Sequence, residues 1–276
     1  MRRTIALLFL SSMFAAAVAR SDIPPSLEAR SAMSAAVQYA PELSGGEILR
    51  RAYATAGGDL FVRPGSLFLS GYNLIRPGGA DERRWDRYAM WRVFAGDKAD
   101  AHVASGMVRI EAWSGEELAL LLAFDGEQSY DRNGLMTDQS ANAMWSANFG
   151  FGAIRHGLDD GWTQTREADD LIDGEPAFFV TLTDPSGGET LFAFRQSDYA
   201  ILYVGFDTPR GWHERRYSHF FRMPGSDWMQ AGRVRLFYDG VKANEAIWTH
   251  YEIGAEYPRD VFQPEEAPGS PSWIVP

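Results

Sequence analysis

The sequence contains no cysteine among its 276 residues. Disulfides, a thiolate nucleophile and cysteine-ligated zinc are therefore excluded. A lipoprotein signal is excluded too, because it needs a cysteine directly after the cleavage point. A protein without disulfides must be stabilised by its hydrophobic core, and this length allows one large β domain or two small ones.

Positive charge is also scarce, since the net charge is −11. Lys98 and Lys242 are the only lysines, so nearly all of the cations are arginines. An acidic surface repels nucleic acid and anionic lipid headgroups. We therefore expect no nucleic-acid partner and no stable membrane insertion.

Sequence motifs for catalysis are absent as well. There is no G-x-S-x-G elbow, no P-loop and no dinucleotide fingerprint. No histidine belongs to an H-x-x-x-H or H-E-x-x-H pair, so we interpret them as surface residues on a sheet. We predict no enzyme activity, no cofactor and no metal site. The five histidines are His102, His156, His213, His219 and His250.

The first nineteen residues have the pattern of a secretory signal peptide. Arg2 and Arg3 precede an apolar run that is short for a membrane span, and Ala17-Val18-Ala19 is an A-x-A cleavage site. We expect cleavage after Ala19 and a soluble, exported protein. The alternative is an uncleaved N-terminal anchoring helix.

The rest of the chain divides into three predicted regions. Residues 20–44 form a helical leader, 45–262 form one domain, and 263–276 form a proline-rich tail with little to bury. Within the domain, Ser44 and Glu47 make a capping box, and Gly57-Gly58 supplies a stop, so we predict a helix over 45–56.

From residue 66 onward the hydrophobic period changes to two, which is typical of strands with Gly-bearing turns. A helical insertion is predicted over 138–157, where Trp145 and Phe149 lie four residues apart. Because Gly150 and Gly152 weaken the pattern, we expect a short helix followed by a looser segment. The predicted strands are 66–75, 88–94, 103–113, 117–124, 162–169, 177–183, 189–195, 199–206, 212–222, 232–238 and 247–255.

Three stretches carry a likeness to a known family. They are the helix from Glu47 to Gly58, the turn Phe124-Asp125-Gly126 with Tyr130-Asp131, and the double strand D-G-E-P-A-F-F-V-T-L-T-D with G-E-T-L-F-A-F at 173–194. The order of these elements along the chain resembles that of the LolA/LolB-like family of periplasmic lipoprotein carriers and of the related outer membrane lipoprotein-sorting proteins. Both Arg76 and Arg92 fit the arginine that latches the lid in that family, so the role is carried over to neither.

The resemblance implies an α+β fold, an incomplete antiparallel β-barrel (half-barrel) wrapped around helices. It also implies a soluble periplasmic carrier that holds a lipid or acyl moiety in an apolar cavity, with a lipid or an acylated protein as partner. The alternative is an envelope sensor or regulatory module of the same fold, which would bind envelope proteins.

Several predicted strands are apolar on both faces, whereas a sheet with one solvated face alternates more cleanly. Either a ligand cavity lies against the second face, or the N-terminal helix and the tail cover it. With the family likeness we predict a cavity, with Trp145 and Phe149 as lid residues. The predicted lining is Val108, Ile110, Leu118, Leu120, Leu122, Phe178, Val180, Phe192 and Phe194.

Overall fold

The computed structural model describes residues 43–76, 81–95, 106–138, 142, 145 and 150–265. Several predicted features lie outside these residues. They are the signal peptide at 1–19, the leader as far as residue 42, the lid residue Phe149 and the tail from residue 266.

The described residues form one antiparallel sheet. Its order is β6-β5-β4-β3-β2-β1-β14-β13-β12-β11-β10-β9-β7, and β8 also pairs with β9. The strands are β1 (Ser66–Ile75), β2 (Arg83–Val93), β3 (Met107–Ser114), β4 (Glu117–Phe124), β5 (Ser129–Asp131), β6 (Gly134–Leu135), β7 (Thr163–Arg166), β8 (Asp170–Ile172), β9 (Glu175–Thr183), β10 (Glu189–Arg195), β11 (Ile201–Thr208), β12 (Gly211–Phe221), β13 (Gln230–Tyr238) and β14 (Val241–Ile253).

The sheet is open, because the strands at its two ends, β6 and β7, do not pair with each other. Its two halves meet where β1 pairs with β14, a register in which Leu67 lies opposite Ile253. Two α-helices accompany it in the described chain, α1 (Gly45–Ala56) and α2 (Asp59–Val62). The predicted fold class, an incomplete antiparallel barrel with helices, is confirmed.

Helix α1 begins and ends at the predicted residues. The Ser44 hydroxyl accepts a hydrogen bond from the Glu47 N–H at 3.2 Å, and Gly57 ends the helix with φ of +135°. The Glu47 carboxylate departs from the predicted capping box, because it pairs with Arg51 one turn later at 2.7 Å. Helix α1 thus has a side-chain cap on one N–H and an i,i+4 ion pair on its surface.

The main core lies between α1 and the concave face of the sheet. Ile48, Leu49 and Ala52 of α1 are fully buried against side chains from β9, β10 and β11. The 3-10 helix Gly150–Arg155 also contributes, through Ala153 and Ile154. In the predicted insertion over 138–157, the described residues Asn142 and Trp145 are helical, and the 3-10 helix lies in the glycine-containing part where a looser segment was expected.

Two further apolar clusters lie on the convex face. In the first, Ile172 of β8, a short strand that pairs with β9 within the sheet, packs with Phe179 and Tyr203. In the second, near the C-terminus, the 3-10 helix Arg259–Phe262 packs Val261 and Phe262 on Trp91. The apolar residues on the two faces of β9–β11 therefore belong to two separate clusters, the main core on one face and the smaller cluster with Ile172 on the other.

A buried ion pair lies between β3 and the C-terminal 3-10 helix. The Arg109 guanidinium contacts the Glu111 carboxylate at 2.6 Å and donates to the Val261 carbonyl at 2.7 Å. Arg109 and Glu111 are 2% and 1% exposed, so this polar contact ties the C-terminal 3-10 helix to β3 in a water-poor setting.

The predicted strands 66–75, 117–124 and 189–195 match β1, β4 and β10 residue for residue. The other predicted strands that lie within the described residues are found with shifted ends. Strands β5, β6 and β8 and helix α2 were not predicted, because two to four residues are too few to show a period.

Candidate binding site on the concave face

The predicted lining residues fall into two groups on the concave face. Phe178, Val180, Phe192 and Phe194, on β9 and β10, belong to the main core and are at most 4% exposed. Helix α1 covers this half of the face. A ligand could therefore reach these four side chains only after α1 moves away from the sheet.

The second group lies on β3 and β4. Val108 and Ile110 are buried, and Leu120 and Leu122 are half-buried against them, together with Tyr88 and Met90 of β2. Leu118 is half-buried near the start of β4 and lies outside this cluster. We call Tyr88, Met90, Leu120 and Leu122 the open apolar strip, because each of them combines contact with the core and exposure to solvent.

Trp145, predicted as a lid residue, packs at the end of this strip. Its ring stacks on Phe124 with centroids 5.9 Å apart, and it is 1% exposed. The indole N–H donates to the Ser129 hydroxyl at 2.9 Å, which places both ends of the side chain in contact with the β4–β5 region. In this conformation Trp145 forms part of the wall of the concave face.

Polar side chains also point into the concave face, and they are not among the site residues predicted from the sequence. Arg92 on β2 and Arg155 in the first 3-10 helix contact the same ring, that of Phe94, at 4.5 and 4.6 Å from its centroid. Arg215 on β12 lies opposite Val204, a core residue of β11. We call Arg92, Arg155 and Arg215 the interior basic cluster.

Arg155 is anchored to α2 and to two aromatic rings. Its Nε donates to the Phe61 carbonyl of α2 at 2.9 Å, and its guanidinium lies 4.7 Å from the Phe61 ring and 5.7 Å from the Trp228 ring. Burial lowers its pKa to about 10, while the phenols of Tyr53 and Tyr217 favour the charged form.

The pKa of Arg92 is lowered further than that of Arg155. Arg92 is 3% exposed, and its pKa is lowered to about 9 by burial first and then by the positive charges of Arg155 and Arg215. Tyr217 acts in the opposite direction. Like charges repel strongly in a low-dielectric interior, so both neighbouring arginines disfavour the charged form of Arg92.

Two tyrosines and an asparagine complete the polar lining. Burial raises the pKa of Tyr88 and of Tyr217, and neighbouring arginines partly offset the rise. Asn73 on β1 is 0% exposed, and neither of its amide atoms has a hydrogen-bond partner in good geometry among the described residues. A buried amide in that state is unusual, because native proteins satisfy most such groups.

His213 also lies in the interior, so its interpretation as a surface residue is wrong. It is 0% exposed and stacks on Phe206 with centroids 4.6 Å apart. Its Nε2 accepts a hydrogen bond from Arg215 Nε at 3.1 Å. The alternation of β12 places it beside Arg215 and Tyr217 on the inner face, whereas Glu214 and Arg216 point to the convex side.

A sequence signal for the basic cluster does exist. Arg92 has the same strand parity as Tyr88 and Met90, and Arg215 has the parity of His213 and Tyr217. A cation at an inward position of a strand is informative, since arginine is rarely buried without a polar role.

Two shallow depressions lie on the surface of the described chain, and neither is lined by a residue predicted to line the cavity. One has a volume of about 410 Å³ and lies beside Pro176 and Arg195, and the other has about 440 Å³ and lies beside His219 and Trp248. In the described part of the chain, no three His, Asp or Glu side chains are grouped as a metal site would require. No helix in that part is both long and apolar enough to span a bilayer.

No protein-family model and no curated protein matches the sequence. Solved structures are similar at the level of fold. A domain described as outer membrane lipoprotein-sorting, from Vibrio parahaemolyticus, shares 10% identity over 78% of this chain and 94% of its own, with a TM-score of 0.44. A LolA superfamily protein from Nitrosomonas europaea shares 13% identity over 80% and 98%, with a TM-score of 0.42.

A DUF1329 family protein from Desulfovibrio piger shares 10% identity over 79% of this chain and 95% of its own, with a TM-score of 0.46. The predicted resemblance to LolA-like proteins thus stands as a likeness of fold, alongside the open antiparallel sheet described above. It carries no information about the ligand.

Proposed function

We propose that this protein is an exported, periplasmic binding protein that carries a lipid or acyl moiety on the concave face of its half-barrel. It acts by burial and release of its ligand and performs no covalent chemistry. The observation that carries the proposal is the open apolar strip. Its four large side chains are only partly buried, on a face that is otherwise closed by α1 and the first 3-10 helix.

The strip provides the chemistry that an acyl chain needs. Each methylene removed from water contributes about 0.8 kcal/mol. A chain of about ten methylenes could therefore gain roughly 8 kcal/mol before the cost of immobilising it is subtracted. Met90 suits such a ligand because its thioether side chain adapts to different chain positions.

Helix α1 would regulate how much of the face a ligand can reach. Its apolar residues fill the half of the concave face formed by β9–β11, where the predicted residues Phe178, Val180, Phe192 and Phe194 are packed. A short chain fits the strip with α1 in place, whereas a longer or second chain requires α1 to be displaced. Displacement of α1 is thus the step at which a donor or acceptor protein could act.

The first experiment is purification of the protein from a native periplasmic extract, followed by lipid mass spectrometry and titration with a fluorescent fatty acid. We expect co-purified lipid and saturable binding. A lipid-free protein that also fails to bind the fatty acid would overturn the proposal. Recovery with a stoichiometric envelope protein and no lipid would instead favour the sensor function.

Neighbouring residues of β4 supply a matched pair of variants. Leu120 points into the strip, whereas Ala119 is exposed and points to the convex side. We expect Leu120→Asp to weaken fatty-acid binding by about tenfold or more, since a charge on the strip must be desolvated. Ala119→Asp should bind like the unmodified protein, and equal losses in both variants would contradict a role for the strip.

A further inference from the structure

The interior basic cluster lies on the same face as the open apolar strip and directly adjoins it. Arg92 and Met90 are two residues apart on β2 and point the same way, because strand side chains repeat with period two. Across the sheet, Arg92 lies opposite Val108, and Met90 lies opposite Ile110. A ligand that lies along the strip therefore has one end next to guanidinium groups.

The cluster concentrates positive charge in an interior that disfavours it. Arg92 and Arg155 share the Phe94 ring, and both Arg155 and Arg215 act on Arg92 as like charges. Arg92 and Arg155 are only 3% and 9% exposed, so solvent screens these charges poorly. An anion between them would reduce the mutual repulsion and form short, charge-assisted hydrogen bonds.

Neutral hydrogen-bonding groups lie on the same face. The amide of Asn73 is fully buried, makes no hydrogen bond of good geometry among the described residues, and lies beside the Tyr88 hydroxyl. This amide favours the ionised form of the Tyr88 phenol. The positive charges of the three arginines favour the ionised form of the Tyr217 phenol. Together they offer N–H and O–H donors to oxygen atoms of a ligand.

We infer that the ligand is an amphiphile with one anionic headgroup, a carboxylate or a phosphate, held by Arg92, Arg155 and Arg215 while its acyl chain lies along the open apolar strip. The inference rests on the proposed function and narrows it. An acyl chain attached to a protein through an amide or ester brings no charge to this end. The cluster therefore favours a free anionic lipid over an acylated protein as cargo.

The test compares three ligands with the same twelve-carbon chain: dodecanoate, dodecyl phosphate and dodecanol. Each displaces the neutral dye Nile red from the full chain, below the concentration at which the amphiphiles form micelles. We expect one or both anions to bind roughly tenfold or more tightly than dodecanol. The better of the two anions identifies the headgroup, and inorganic phosphate alone measures what the cluster binds without a chain.

Variants link this preference to the cluster. Arg92→Met and Arg215→Met should reduce the preference for anions to less than about threefold and leave dodecanol binding unchanged. Arg92→Lys keeps the charge and should retain most of the preference. Arg132→Met, at an exposed turn between β5 and β6, is the control and should behave like the unmodified protein. Circular dichroism and thermal unfolding of each variant establish that it is folded.

The outcomes separate the two proposals. If dodecanol binds as tightly as both anions, or if the methionine variants keep the full preference, the headgroup inference is wrong while lipid carriage stands. If none of the three ligands displaces the dye and no lipid co-purifies, the proposed function fails and the inference fails with it.

Discussion

The difference between the closed and open halves of the concave face leads to a quantitative prediction about Phe194 and Leu122. Phe194 is 0% exposed in the core beneath α1, whereas Leu122 is half-buried in the open apolar strip. Both were predicted to line a cavity. Because their packing differs, truncation to alanine should affect stability and ligand binding in opposite proportions.

Burial sets the expected magnitudes. A fully packed Phe loses about 3–5 kcal/mol of unfolding free energy on truncation to alanine, because the transfer term and the cavity left behind add together. For Leu122 the full range of about 2–5 kcal/mol does not apply, since part of the side chain is already in water. We expect about 1–2 kcal/mol for Leu122→Ala.

The assay is urea unfolding followed by tryptophan fluorescence, with fatty-acid titration of each folded variant. Phe194→Ala should lower the midpoint strongly and change binding little, provided that measurements are made well below its unfolding transition. Leu122→Ala should lower the midpoint slightly and weaken binding several-fold. A cost below about 1 kcal/mol for Phe194→Ala would show that this region is a cavity wall, and would refute the assignment of the β9–β10 half to the closed core.

Three further predictions concern other parts of the fold. Ser44→Ala removes the cap of α1 and should lower the unfolding free energy by about 1 kcal/mol in urea titration, while Ser44→Thr should not. Gly157→Ala would place a Cβ 2.7 Å from a Leu182 methyl and 2.8 Å from a Leu49 methyl, so we expect a loss of about 1–3 kcal/mol, and no loss would mean that this contact is loose. Asp173→Asn should flatten the decline of stability below about pH 4. Burial opposes ionisation of Asp173, but hydrogen bonds from Arg235 and Arg216 outweigh this effect and hold the pKa of Asp173 below its ordinary value. The ionised carboxylate therefore stabilises the fold at pH values above the unfolded-state pKa, and this stabilisation is lost as the pH falls through the lower pKa of the folded state. An unchanged acid profile of melting temperatures would contradict this role.

Acid sensitivity should also come from the contact between the C-terminal segment and the β4–β5 turn. Burial would raise the pKa of Asp125, but hydrogen bonds from the Gln263 side chain and from the Gln128 and Glu127 N–H groups lower it overall. Its ionised form therefore helps to hold the C-terminal segment on the sheet. The same C-terminal 3-10 helix covers Trp91, so both the charge and the apolar contact fix it there.

Local features were predictable from the sequence because their causes lie close together along the chain. Helix α1 has its Ser44 cap, its apolar face and its glycine stop within fifteen residues, and the structure matches these three, whereas the Glu47 half of the capping box pairs with Arg51 instead. Strands β1, β4 and β10 are likewise confirmed at both ends, since alternation and turn residues mark them. The family pattern added the open half-barrel, which alternation alone does not distinguish from other antiparallel sheets.

Tertiary structure decided what each strand face meets. Strand β1 pairs with β14 across about 180 residues of sequence, and no local pattern contains that pairing. The convex apolar residues of β9–β11 form a cluster with Ile172 of β8, and those of β1–β3 are covered by Val261 and Phe262 of the C-terminal 3-10 helix.

Contacts between distant parts of the chain also decide the composition of the candidate binding site. From the sequence alone we predicted no familiar catalytic or metal-binding chemistry, and the apolar strands indicated where a lipid could lie. Two features of the site depend on elements that are far apart in the chain. One is which lining residues remain exposed to solvent, and the other is that β2, the first 3-10 helix and β12 place Arg92, Arg155 and Arg215 on the same face. A strand period says which side chains share a face, but only the folded sheet brings one face against another and sets how much of it water can reach.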